Sequence, residues 1–247
     1  MANWKYYAGQ LLSRVATPLM PLDHFRWAIK ALERRRLRFL NERTKENRPD
    51  VLEHTLQVTS FGGCGTTMLY RFLSRNNAPV PPAVDDWYPW KHMLSPPKDR
   101  EVKDGFRAIY VFTDPLTATL SVFRRGFQHE LVRRMSRDTT NWDTEWELSD
   151  FLDDGQDHFR LTEQYREWTS RDRDYPIMLV KYGALWQNLR EITAFAGLPI
   201  EAVGDFPERR SRSSDWREES PEVRSGLQRI YGDLHQEIKS AHDITIC

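Results

Sequence analysis

Three glycines, Gly62, Gly63 and Gly65, crowd into the six residues "GGCGTT" (62–67). They follow a short apolar run and precede a helical pattern. A strand, a tight glycine turn and a helix aim successive backbone N–H groups at one point, and the helix dipole adds positive potential there. The chemistry this suits is anion binding, above all of a phosphate. The glycines let the backbone approach the anion, Thr66 and Thr67 add hydroxyl donors at the helix start, and Cys64 lies inside the turn. An ordinary strand-to-helix turn reads the same way. A nucleotide-hydrolysing loop of the form G-x-x-x-x-G-K-[ST] carries a lysine after its last glycine. Thr66 stands there instead, which disfavours an NTP hydrolase. A second candidate is His92 in "WKHMLSPP", preceded by the cation Lys91. An imidazole with its ordinary pKa near ~6.5 can take a proton from a hydroxyl at neutral pH.

These residues need elements to hold them. Three short apolar segments read as buried strands: "LQVTSF" (56–61), "RAIYVFTD" (107–114) and "PIMLVKY" (176–182). Each precedes a helical pattern, over 66–76, 115–128 and 183–196. Asp114 suits a helix N-cap with Pro115 at the first helical position, and Gly197 suits a helix stop. Strands alternating with helices predict an α/β fold: one domain with a mostly parallel, P-loop-type sheet flanked by helices on both faces. Between the first two units lies a proline-rich stretch, 76–101, expected to cross the carboxyl rim of the sheet, where α/β proteins bind ligands. It carries Lys91 and His92, with Trp87, Tyr88 and Trp90 either walling a pocket or pinning the loop. Residues 24–42 read as an amphipathic helix. The expected organisation is a helical N-terminal extension (1–50), a ligand-binding core (51–217) and a C-terminal helix (218–247).

Composition narrows the partners. The 247 residues carry 36 basic and 36 acidic side chains, so nothing draws the whole surface to nucleic acid or membrane. No run approaches the roughly 18 apolar residues that span a bilayer, and the N-terminus lacks a signal-peptide pattern. Two cysteines make no disulfide framework. The expectation is a cytoplasmic protein. No Cys/His cluster has metal-ligand spacing and no G-x-S-x-G elbow is present, so neither a metal site nor a serine hydrolase is expected.

Five segments, in order, resemble those of the PAPS-dependent sulfotransferases. "TSFGGCGTTMLYRFL" is similar to the 5′-phosphosulfate loop T-x-P-[KR]-S-G-T-T-W-L. "WKHMLSPP" resembles the K-T-H acceptor segment, whose histidine is the base. "VFTDPLTATLSVF" resembles a strand ending in R-[DN]-P with a serine eight residues after the arginine, matched by Ser121. "VKYGAL" resembles Y-E-D-L through Tyr182. "RRSRSSDW" resembles R-K-G-x-x-G-D-W through Arg209, Arg210, Asp215 and Trp216. The resemblance covers residues 56–217. It implies sulfuryl transfer from PAPS to a hydroxyl or amine of a small molecule, leaving PAP. In that reading the loop residues hold the phosphosulfate, and Ser121 and Arg209 hold the 3′-phosphate. Tyr182, Arg210 and Trp216 belong to the nucleotide site, His92 is the base, and Lys91 steadies the sulfuryl oxygens.

Two positive charges of that family are missing. Gly63 stands at the loop lysine or arginine, and Thr113 at the arginine that grips the 3′-phosphate. Losing such a donor typically costs ~3 kcal/mol of transition-state stabilisation. Lys91, directly beside His92, is a candidate to reach the sulfuryl oxygens, and Arg124 or Arg125, three and four residues after Ser121 on one helix, is a candidate to replace the missing strand-end arginine, unless both are surface residues. The alternatives are a PAP- or PAPS-binding protein without turnover and a P-loop small-molecule kinase, the latter disfavoured by the missing lysine.

Overall fold

The computed structural model describes residues 52–81, 92–135, 146–170, 172–209 and 214–247, all within one compact unit, Pro49–Cys247. The helix expected over 24–42, the aromatics at 87, 88 and 90, Lys91 and Arg210 lie outside the described residues.

Four strands form one sheet in the order β1 (Leu56–Ser60), β2 (Arg107–Phe112), β3 (Ile177–Lys181) and β4 (Ile244–Ile246). The first three run parallel and β4 is antiparallel to β3. Every residue of β1, and every residue of β2 after Arg107, is buried. Side chains of a strand alternate between its faces, so both faces of the sheet centre are covered, as a parallel sheet requires. The fold is α/β, with a mostly parallel sheet flanked by helices.

The helices are α1 (Thr66–Arg75), α2 (Pro115–Arg124), α3 (Gln128–Met135), α4 (Leu148–Asp154), α5 (Leu161–Thr169), α6 (Leu189–Phe195) and α7 (Pro221–Ser240). Asp114 caps α2: its carboxylate accepts from the Leu116 N–H at 3.2 Å and the Thr117 hydroxyl at 2.9 Å. The helix expected over 115–128 stops early, because Gly126 turns left-handed at φ 66° and α3 starts afresh. The third expected helix starts later than 183, after a 3₁₀ turn at Tyr182–Ala184. The C-terminal helix is shorter than 218–247. It ends at Ser240, and the chain then returns to the sheet as β4.

One face of the sheet is aromatic. Tyr110 stacks on Trp168 of α5 at 5.3 Å, and Phe112 meets Tyr165 edge-on at 5.3 Å. The acidic stretch 150–157 serves local structure. Asp150 accepts from the Glu147 N–H, Asp154 pairs with His158, and Asp157 accepts from two N–H groups of α5 and from the Tyr231 hydroxyl. Among the described residues, no helix is long and apolar enough to cross a membrane.

Candidate anion-binding cleft

Parallel pairing fixes what meets at the carboxyl rim. Ser60 is in register with Val111, and Phe112 with Lys181. The segments that follow the three strands, 61–65, 113–114 and 182–184, therefore emerge side by side.

The three glycines are required for two different reasons. Gly63 and Gly65 adopt the left-handed region, at φ 79° and 71°, which disfavours any residue with a Cβ. A Cβ on Gly63 would lie 3.0 Å from the Ser121 hydroxyl, and one on Gly65 would lie 2.5 Å from the Tyr182 ring. Gly62 has ordinary φ but is closed over by helices: its Cβ would fall 2.9 Å from Leu131 and 3.0 Å from Val122. The loop thus lies directly against Ser121 and Tyr182, two residues singled out in the sequence. Among the described residues, the backbone N–H groups of Gly62, Gly63, Gly65, Thr66 and Thr67 have no hydrogen-bond partner. Unpaired N–H groups at a helix start make an anion site. The Cys64 side chain is buried, with Sγ 3.6 Å from the Gly62 carbonyl. Thr66 is buried with its hydroxyl against that of Ser60. Thr67 is half-buried.

A cleft of about 500 Å³ opens beside the loop, with Gly63 and Gly65 at its base. One wall is a stripe of α1, Met68, Arg71, Phe72 and Arg75, spaced as i, i+3, i+4 and i+7. Another wall is Thr117 and Ser121 of α2 with Arg125 at its C-terminal cap. Tyr182 and Trp186, edge-to-face at 5.3 Å, bound it with Asp205, Glu208 and Ser214. Arg71, Arg75 and Arg125 are all exposed and make no ion pair or hydrogen bond among the described residues, although two carboxylates share the cleft. Arg71, Arg75 and Trp186 were not singled out in the sequence. Their signal was the helical spacing of the two arginines with Met68 and Phe72, downstream of the loop.

The other sequence candidates lie at differing distances from this cleft. Arg124 is not part of the cleft lining: it pairs with Glu219 at 2.7 Å and donates to the hydroxyl of Ser214, at the cleft edge, at 3.2 Å. Arg209 lies over the Trp186 ring, 5.6 Å from its centroid, at the rim. Thr113 is buried at the end of β2 and lines no part of the cleft. Trp216 packs edge-on against His235 at 5.7 Å and also stands back from it.

His92 sits on the other flank of β1. Its Nδ1 is 3.0 Å from the Ser60 carbonyl oxygen, two residues before Gly62. A carbonyl only accepts, so Nδ1 carries a proton in this contact. The segment bearing His92 is fixed from below. The Met93 N–H donates to the Thr59 hydroxyl at 3.0 Å, while Gln164 Nε2 at 2.6 Å and Trp168 Nε1 at 3.0 Å both donate to the Met93 carbonyl. Gln164 and Trp168 are fully buried. Neither anchor was identified from the sequence.

No protein-family model, no curated protein and no solved structure matches this chain.

Proposed function

We propose that the chain is a PAPS-dependent sulfotransferase acting on a hydroxyl or amine of a small molecule. The observation that carries the reading is the glycine loop itself: unpartnered N–H groups along 62–67, with Gly63 and Gly65 lining a cleft that also holds aromatic rings. A nucleotide needs both features, an anion cradle at one end and an apolar plate at the other. The residues present fit PAPS: the two left-handed glycines permit the close approach, Ser121 stands against the loop, and Tyr182 and Trp186 offer stacking surfaces. The order of the sequence segments supports the same family.

When bound, PAPS supplies an activated sulfuryl group on a good leaving phosphate. The chain's part is holding and proton transfer. The N–H groups of 62–67 hold the 5′ end, and Ser121, Arg125 and Arg209 sit where they can serve the rest of the nucleotide. His92, with Nδ1 tied to Ser60, receives the acceptor's proton at Nε2. His92 is not part of the cleft lining, so the acceptor approaches from the 92–94 side of β1. Lys91 is assigned to the sulfuryl oxygens on the sequence resemblance alone.

The test is calorimetric titration with PAP against ATP and AMP, then a screen of acceptors with PAPS. Selective binding of PAP at micromolar Kd or tighter and turnover lost more than tenfold in His92→Ala support the reading. Preference for ATP would select the kinase. PAP binding without turnover on any acceptor would select a nucleotide-binding protein, a reading favoured by the absence of a basic side chain at Gly63.

A further inference from the structure

We infer that Arg71 and Arg75 form a second anion subsite on α1, taking the second phosphoryl group of a ligand whose first anionic group rests on the glycine loop. Only the identity of the ligand rests on the PAPS reading. Four residues apart, the two arginines sit one above the other on the cleft-facing stripe. Helical rise puts them about 7.5 Å and about 13.5 Å along the axis from Thr66, and side chains lean back toward the helix N-terminus. Both side chains therefore line the cleft within a short molecule's length of the loop.

Several other arginines among the described residues are held by carboxylates. Arg124, Arg160, Arg173 and Arg217 each pair with a carboxylate. Arg71, Arg75 and Arg125 pair with nothing among the described residues, even with Asp205 and Glu208 on the same lining. Three cations against two anions leave the cleft net positive. A ligand with one anionic group would be met by the loop and leave the α1 pair unused. One with two groups satisfies both, and guanidinium forks match phosphate oxygens bidentately. The positive charge missing at Gly63 and Thr113 is thereby supplied from α1, a different element from the one the sequence spacing suggested.

The test uses the full-length chain, its Arg71→Ala/Arg75→Ala variant and, as a control on another helix, Arg190→Ala. Each is titrated with PAP, AMP and inorganic pyrophosphate. Both arginines are exposed, so the double variant should melt as the parent does. The subsite predicts PAP affinity weakened about thirtyfold or more in the double variant, with AMP affinity changed less than about threefold, and partial rescue by Arg71→Lys/Arg75→Lys. Unchanged PAP affinity in the double variant overturns the subsite and leaves the PAPS reading standing. Equal losses for PAP and AMP overturn it too, since the arginines would then serve the first anion. Binding of pyrophosphate but not PAP, lost in the double variant, keeps the subsite and overturns the PAPS reading. No binding of any probe to the parent chain overturns both.

Discussion

The carboxyl end of β1 has two flanks, and they are built on opposite principles. Toward α5, the buried side chains of Gln164 and Trp168 donate to the Ser60 and Met93 carbonyls, the Met93 N–H to the Thr59 hydroxyl and the His92 ring to Ser60. Toward α1 and α2, the loop N–H groups and three arginines are left over. A buried polar group must be paired within the protein, because leaving it unpaired costs more than the bond returns. A group at the wall of a cleft can keep its capacity for a ligand. The saturated flank fixes where things stand, and the unsaturated flank is where something can bind.

Substitutions on the saturated flank should therefore move stability, and those on the cleft flank should move affinity. The largest effect belongs to Trp168→Ala. It empties a fully buried site stacked on Tyr110 and removes a donor to the Met93 carbonyl, so urea unfolding should show a loss of about 3–5 kcal/mol. Gly65→Ala straddles the two flanks. A left-handed alanine whose Cβ would sit 2.5 Å from the Tyr182 ring should cost about 2–4 kcal/mol and weaken nucleotide binding as well. If it lowers neither, the loop is more pliable than the contrast allows. Gln164→Leu should cost about 1–3 kcal/mol: Met93 keeps its Trp168 donor and Ser60 keeps His92, but the buried Tyr110 hydroxyl loses its acceptor. Cleft affinity should survive it. A loss of affinity with no change in unfolding midpoint would erase the distinction between the flanks.

The smallest effect is in pH. Burial lowers the pKa of His54 from its usual 6.5, with the hydrogen bond to Gln57 opposing that shift. The unfolded chain therefore binds a proton, as pH falls through about 6.5, that the folded chain still refuses. Its contribution to stability is complete above that pH and declines below it, until the folded pKa is passed. Unfolding midpoints at pH 7.5 and 5.5 should differ, and the difference should shrink in His54→Phe.

The strands and the glycine turn were legible in the sequence because their signals are local: apolar runs of five or six residues, and glycines where φ must be positive. The arginines of the cleft were legible only as helix surface. "YRFLSR" reads as any amphipathic helix until the loop before it gives one face a cleft to line. Arg124 and Arg125 were indistinguishable by spacing. They part because Glu219, 95 residues on, is there to hold Arg124, and no local pattern carries that. Gln164 is equally remote from the Ser60 carbonyl it approaches, 104 residues away. β4 is three residues, two half-buried and one exposed, after a long helix, too short for alternation to register.

Gly63 constrains more than its own loop. With φ at 79° and the Ser121 hydroxyl 3.0 Å from where a side chain would begin, a lysine at 63 would be strained in the left-handed turn and would push the Ser121 side chain aside. The two positions form an epistatic pair: restoring the basic residue by one codon change would strain the turn and displace its neighbour. Regaining the charge at 63 would carry that backbone cost, which cations recruited from elsewhere on the cleft wall do not.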